Sequence, residues 1–111
     1  MSLVPPNEAL VQLSEILGLE DTRDLVRTYL KEYAALARTM AEGDRVTQHR
    51  AAHSLKSSSR YMGLSSLVPL LLALETRLVQ PNEKTSKADI EAINNELARV
   101  IPALEAFVSD E

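Results

Sequence analysis

The sequence predicts an all-α protein, an antiparallel up-down four-helix bundle with an additional short helix at its N-terminal end. Three observations carry this. Apolar residues recur three and four apart over long stretches, as on one face of a helix, and no stretch alternates like a strand. The three glycines, at 18, 43 and 63, each fall where such a stretch ends, the position that relieves a helix C-terminus. Aromatic residues are 4% of the chain and tryptophan is absent, so Leu, Val, Ile and Ala must fill the core, which suits packed helices.

The first helix is expected after Asn7, a good N-cap, with Leu10, Leu13, Ile16 and Leu17 on one face and Gly18 as its stop. The second follows Asp21, with Asp24 in its first turn favouring the positive end of the helix dipole. Its stripe is Leu25, Val26, Tyr29, Tyr33, Leu36, Ala37 and Met40, and Gly43 closes it. The third runs from about Asp44 to Met62 before Gly63. The fourth opens at Ser65 or Ser66, tolerates Pro69 in its first turn and fades near Gln80, with Leu67, Leu70, Leu71, Leu74 and Leu78 as core. A polar turn, QPNEKTS, leads to a fifth helix capped by Ser86 that carries Ile90, Ile93, Leu97, Val100, Ile101, Leu104, Phe107 and Val108. Pro102 lacks a backbone donor, so a kink or break is expected there. Short connections make helices two to five antiparallel neighbours, with the first packed across one end.

At 111 residues the chain is read as one domain, loose at residues 1–6 and 109–111. Without cysteine there is no disulfide, thiolate metal site or cysteine nucleophile, which fits a reducing compartment. A net charge of −4 argues against a nucleic-acid binder. The longest apolar run, LVPLLLAL, is too short to span a bilayer, and the N-terminus lacks a signal-peptide pattern. A cytoplasmic monomer, off the membrane, is the expectation.

Chemistry concentrates in HRAAHSLKSSSRYMGLSSL, residues 49–67, which holds both histidines. On a helical wheel Ala51, Ala52, Leu55, Ser58, Ser59 and Met62 share one side, while His53 lies about 160° from Leu55, beside His49, Lys56, Ser57 and Arg60. His53 therefore faces outward; taken alone, the wheel describes an ordinary solvated histidine. His49 and His53 at i and i+4 could ligate zinc, but the metalloprotease pattern needs glutamate where Arg50 stands, and Lys56 and Arg60 oppose a cation. No metal is expected. A neutral imidazole flanked by an ammonium could instead carry a phosphoryl group: its nitrogen is a nucleophile and Lys56 would neutralise the transferred oxygens.

AHSLKSSSRYMGLSSL resembles the signature of the histidine-containing phosphotransfer (HPt) domain of phosphorelays: His53, Leu55, Lys56, three small residues Ser57 to Ser59, then Met62, Gly63 and Leu67. Leu74 and Glu75 in the next helix also match, and Ser57 departs from the glycine many members carry, while staying small. The resemblance implies that His53 is phosphorylated on Nε2 and that Lys56 steadies the phosphoryl oxygens. Ser57 and Gly63 would serve access and packing near the site, with a helix C-cap an equally good account of Gly63. Glu75 would accept from Nδ1 and orient the ring; alternatively it partners Arg77 or is merely solvated. Arg60 lies outside the signature; it adds to the local basic field and belongs to a possible docking surface, or is simply solvated. Val68, Leu72 and Val79 form a second stripe on the Glu75 side of the fourth helix, either more core or a docking surface beside His53.

The implied function is that of a histidine phosphocarrier, taking a phosphoryl group from a receiver-domain aspartate and passing it to another. Partners would be response-regulator receivers and a sensor or hybrid histidine kinase. Magnesium would sit on the receiver, with no cofactor bound here. Without a nucleotide-binding glycine loop, no ATP-dependent kinase activity of its own is expected. The alternatives are a helical adaptor that binds a receiver or kinase without carrying phosphate, and a metal-dependent enzyme using His49 and His53.

Overall fold

The computed structural model describes residues 4–109. The helices are α1 (Glu8–Leu17), α2 (Leu19–Glu42), α3 (Arg45–Tyr61), α4 (Val68–Arg77) and α5 (Lys87–Val108), and no strand occurs among the described residues. Helix α2 packs on α3, α3 on α4, α4 on α5 and α5 on α2, closing a four-membered ring, while α1 leans on α2. Cross-helix bonds set the antiparallel sense. Arg45 at the start of α3 reaches the Leu78 carbonyl just past α4 (2.9 Å), and Arg77 at the end of α4 pairs with Asp89 at the start of α5. The Arg23 guanidinium, buried near the start of α2, donates to the carbonyls of Phe107 (3.0 Å) and Ser109 (3.1 Å), so it satisfies carbonyls that the end of α5 cannot pair internally. Ser109 is thereby held; of the terminal stretches expected to be loose, residues 1–3 and 110–111 lie outside the described residues.

The caps expected at Asn7 and Ser86 form. Asn7 Oδ1 accepts from Leu10 N (2.9 Å), while Asp44, expected at the start of the third helix, caps it, with Oδ1 accepting from Thr47 N (2.8 Å). Ser86 and Asp89 make a reciprocal capping box. The start of α2 differs: it begins at Leu19, directly after Gly18, and not after Asp21. Gly18 at φ 89°, ψ 157° occupies a region essentially reserved for glycine, so one residue turns the chain from α1 into α2 and no linker remains. Gly43, in contrast, ends α2 at φ −74° and is not left-handed.

Helix α4 also starts later than expected, at Val68. Ser65 and Ser66 lie in the preceding turn, where the Ser66 hydroxyl bonds Glu96 and Arg99 of α5 and does not cap α4. Pro69 sits in the first turn, where no donor is required. The helix ends at Arg77, short of Gln80. Pro102 does not break α5, which is continuous from Lys87 to Val108. Pro102 and Ala98, whose carbonyl would have accepted its missing N–H, both face solvent, where water can take the donor's place.

The core joins Val26, Leu55, Leu67, Leu71, Leu74, Leu78, Ile93, Leu104 and Phe107, all essentially inaccessible. Four residues assigned to core stripes are exposed instead: Ile16, Leu17, Leu25 and Leu70. Helix α1 is short and lies outside the ring, so only its Leu10 is fully buried. Leu70 falls outside the face of α4 that α3 and α5 cover.

The Arg77–Asp89 pair joins the end of α4 to the capping box of α5. The Arg77 guanidinium, with the Ser86 bonds, outweighs partial burial and holds the Asp89 carboxyl down to about 2. A depressed carboxyl stabilises fully above its ordinary value of 3.8 and loses that contribution as pH falls toward 2. Asp89→Asn is therefore expected to cost about 2 kcal/mol in urea unfolding at pH 6, with the deficit vanishing near pH 2.

Candidate functional site

His53 sits midway along α3 on the side away from the core, with its side chain 59% exposed. On the opposite face of the same helix, Ala51, Ala52, Leu55 and Ser59 are buried, and the Ser59 hydroxyl meets that of Tyr29 from α2 at 2.9 Å. The Tyr29–Ser59 bond satisfies two hydroxyls that would be costly left alone in the core, and it ties α3 to α2 behind the histidine. The wheel placed His53 outward, as the structure has it, because Ala51, Ala52, Leu55 and Ser59 define a buried face opposite it.

Helix α4 supplies what a single-helix reading could not position. The Glu75 carboxylate reaches across to His53, with Oε1 at 2.9 Å and Oε2 at 3.2 Å from Nδ1. Lys56, one turn beyond His53 on α3, places Nζ 2.9 Å from each oxygen of the same carboxylate. Glu75 and Lys56 are nearly enclosed, with side chains 11% and 12% exposed. Burial pushes the Glu75 carboxyl up, but hydrogen bonds from Lys56 and His53 outweigh it and hold the group below the ordinary range. An ionised carboxylate only accepts, so Nδ1 carries a proton, and in the neutral ring this tautomer puts the lone pair on Nε2. The alternative pairing of Glu75 with Arg77 is not made, since Arg77 is taken by Asp89 and by Glu83 at 3.3 Å.

The remaining residues of the motif separate. Ser57, half-buried, lies one turn from His53, and Arg60 is exposed one turn further. Gly63 is about 15 Å along the axis from His53, beyond the end of α3. Its positive φ of 73° makes the turn, and a Cβ there would collide with the Asn7 carboxamide, which donates to the Met62 carbonyl at 2.8 Å. Gly63 thus lets the N-cap of α1 dock on the end of α3. His49 is half-buried one turn before His53, and among the described residues no three potential ligands gather into a metal-holding group.

The second stripe of α4 is not core: Leu72 and Val79 are 45% and 61% exposed and Val68 is half-buried. A second apolar surface lies toward the other end of α3 and escaped sequence reasoning. There Leu13 and Ile16 of α1 face Ser57, Arg60 and Tyr61 across an open cleft of about 500 Å³, with Ile16 78% and Tyr61 70% exposed. The available signal was α1 itself, five of whose ten residues are large and apolar although a helix outside the ring can bury few of them.

The family model described as Hpt domain matches residues 10–106, nearly the whole chain and every helix. No curated protein and no solved structure matches. No helix is long and apolar enough to cross a membrane among the described residues.

Proposed function

The chain belongs to the Hpt domain family, the histidine phosphocarriers of phosphorelays, and we propose that His53 is its carrier residue, taking a phosphoryl group from a receiver aspartate and returning it to another. The observation that supports this most directly is an exposed imidazole whose Nδ1 is held by a buried carboxylate. With Nδ1 protonated, Nε2 attacks phosphorus without first losing a proton. A new N–P bond forms, the P–O bond to the receiver aspartate breaks, and the electron pair stays on the departing carboxylate. Transfer onward reverses these steps at a second aspartate. Glu75 orients the ring throughout, and Lys56 faces the charge that gathers on the phosphoryl oxygens. Ser57 is small enough to leave room for the incoming receiver. Magnesium belongs to the receiver, whose carboxylates suit it, and the carrier itself phosphorylates nothing from ATP. Receivers and a sensor or hybrid kinase are the partners, in the cytoplasm.

The test is transfer from a phosphorylated receiver, with magnesium, to the purified chain. Acid-labile label bonded to Nε2 by ³¹P–¹⁵N correlation is the expected outcome. Binding of functional receivers without any label would make the chain an adaptor.

The receiver docks beside His53 on a surface that includes the exposed apolar side chains of Leu72 in α4 and Val79 just past its end. Because Leu72 is solvent-exposed, Leu72→Lys should leave the fold intact. The expected result is a fall of about tenfold in the second-order transfer rate, from desolvating an ammonium in the interface. An unchanged rate would place the receiver elsewhere.

A further inference from the structure

We propose that Arg50 meets the oxygens of the phosphoryl group once that group is on Nε2 of His53, and so shifts the transfer equilibrium toward this chain. The proposal rests on the carrier role argued above.

Arg50 and Lys56 stand three residues before and three after His53, about 60° to either side of it on the helix. The two cations look to opposite flanks. Lys56 lies on the α4 flank, where its Nζ is 2.9 Å from each oxygen of Glu75 and its side chain is nearly enclosed. Its charge is already balanced by a carboxylate when a phosphoryl group arrives. Arg50 lies on the flank away from Glu75, is solvent-exposed, and makes no hydrogen bond or ion pair among the described residues. Bonds from Thr47 hold the Asp44 carboxyl below its ordinary range, with the Arg50 charge only a lesser contribution. The guanidinium is therefore free to take a ligand.

The orientation of the ring selects this flank. Glu75 fixes Nδ1 toward α4, and Nε2 belongs to the other edge of the imidazole, so a phosphoryl group on it stands away from the carboxylate that would repel it. Helical side chains lean toward the N-terminus, which lays the His53 ring over the turn that contains Arg50. Cβ atoms at this spacing are about 5–6 Å apart, within the reach of an arginine. Its planar fork of N–H donors matches two phosphoryl oxygens and stays charged at neutral pH. The other arginines of α3 are placed less well. Arg60 is about 10 Å along the axis toward the C-terminus, against the lean, and Arg45 is drawn to the Leu78 carbonyl.

The equilibrium of transfer separates this role from docking. A residue that only helps the receiver dock changes the forward and reverse rates by one factor and leaves the balance between the separated proteins where it was. A residue that holds the phosphoryl group on the free carrier moves that balance.

The test mixes the full chain with a phosphorylated receiver whose own dephosphorylation is slow, with magnesium and without ATP, at pH 7.5, and measures the label on each protein at equilibrium. Arg50→Gln should shift the distribution toward the receiver by about fivefold, and Arg50→Lys, which keeps the charge, by less than about twofold. An Arg50→Gln equilibrium equal to that of wild type overturns the inference, whether or not the rates have changed. Should that variant not fold, wild-type protein decides by ¹⁵N NMR. The Arg50 side-chain N–H signals should move on phosphorylation, and further than those of Arg99 on α5; signals that stay in place again overturn the inference. Failure of the carrier reading shows separately, as wild-type protein that accepts no label.

Discussion

His53→Gln is expected to lose phosphate incorporation to the detection limit, while its unfolding free energy stays within about 0.5 kcal/mol of wild type. The two halves of this result have separate physical origins. The side chain is 59% exposed, so replacing it empties no cavity and strands no buried charge. The glutamine amide can still donate to Glu75, which keeps its bond to Lys56 as well. Yet an amide nitrogen has no available lone pair, so the N–P bond cannot form. His49→Gln, one turn earlier on α3, should keep full incorporation. Phosphate measured on His53→Gln would move the carrier to another residue, and loss only in His49→Gln would identify that residue. A gross change in circular dichroism would show instead that the exposed ring has a structural duty that its surroundings do not suggest.

Leu55→Ala, two residues away on the same helix, should show the reverse behaviour. Leu55 is wholly inaccessible and points into the ring of four helices. Truncation removes a methine and two methyl groups from the core and leaves a cavity that rigid helices close only in part, a cost of about 3 kcal/mol. For a domain of about 100 residues each kcal/mol moves the melting midpoint by about 4–8 °C, so a fall of about 15 °C is expected in a thermal scan. At 10 °C the folded fraction should still accept label on His53, because the site is held by Glu75 and Lys56 and not by Leu55. Leu70→Ala is the control: although it lies in the same apolar run as Leu71, its 36% exposure limits the loss to under about 1 kcal/mol. A loss in Leu70→Ala as large as that in Leu55→Ala would mean that α4 buries a wider face than its neighbours cover here.

The contrast between these variants also marks how far the sequence could be read. Local signals are strongest where one residue decides one local event. Asn7 and Ser86 cap the helices expected of them because a short side-chain acceptor needs only the next few backbone donors. Gly18 and Gly63 end helices at positive φ because other residues are strained there. The outward placement of His53 followed from helical period alone. Where two signals competed, the reading slipped. Ser65 or Ser66 was expected to open α4, but the helix starts at Val68 and Ser66 bonds Glu96 and Arg99 on α5, partners thirty or more residues away that no local pattern announces. At Pro102 a kink or a break was expected, and no break occurs because an exposed carbonyl lets the helix continue past it.

Five helices, their order and the face that carries His53 are thus properties of the chain's own periodicity and punctuation, since hydrogen bonding within a helix reaches only four residues and hydrophobic period reports the rest. Which apolar residues stay uncovered was settled by packing: Ile16, Leu72 and Val79 carry the same hydrophobicity as buried neighbours, and only the number of helices around each decides its exposure. The site was settled the same way. Glu75 lies 22 residues from His53 and 19 from Lys56, and its carboxylate joins them because α4 returns antiparallel to α3 at a depth where an ionised group cannot rely on water and must find both a donor and a counter-charge.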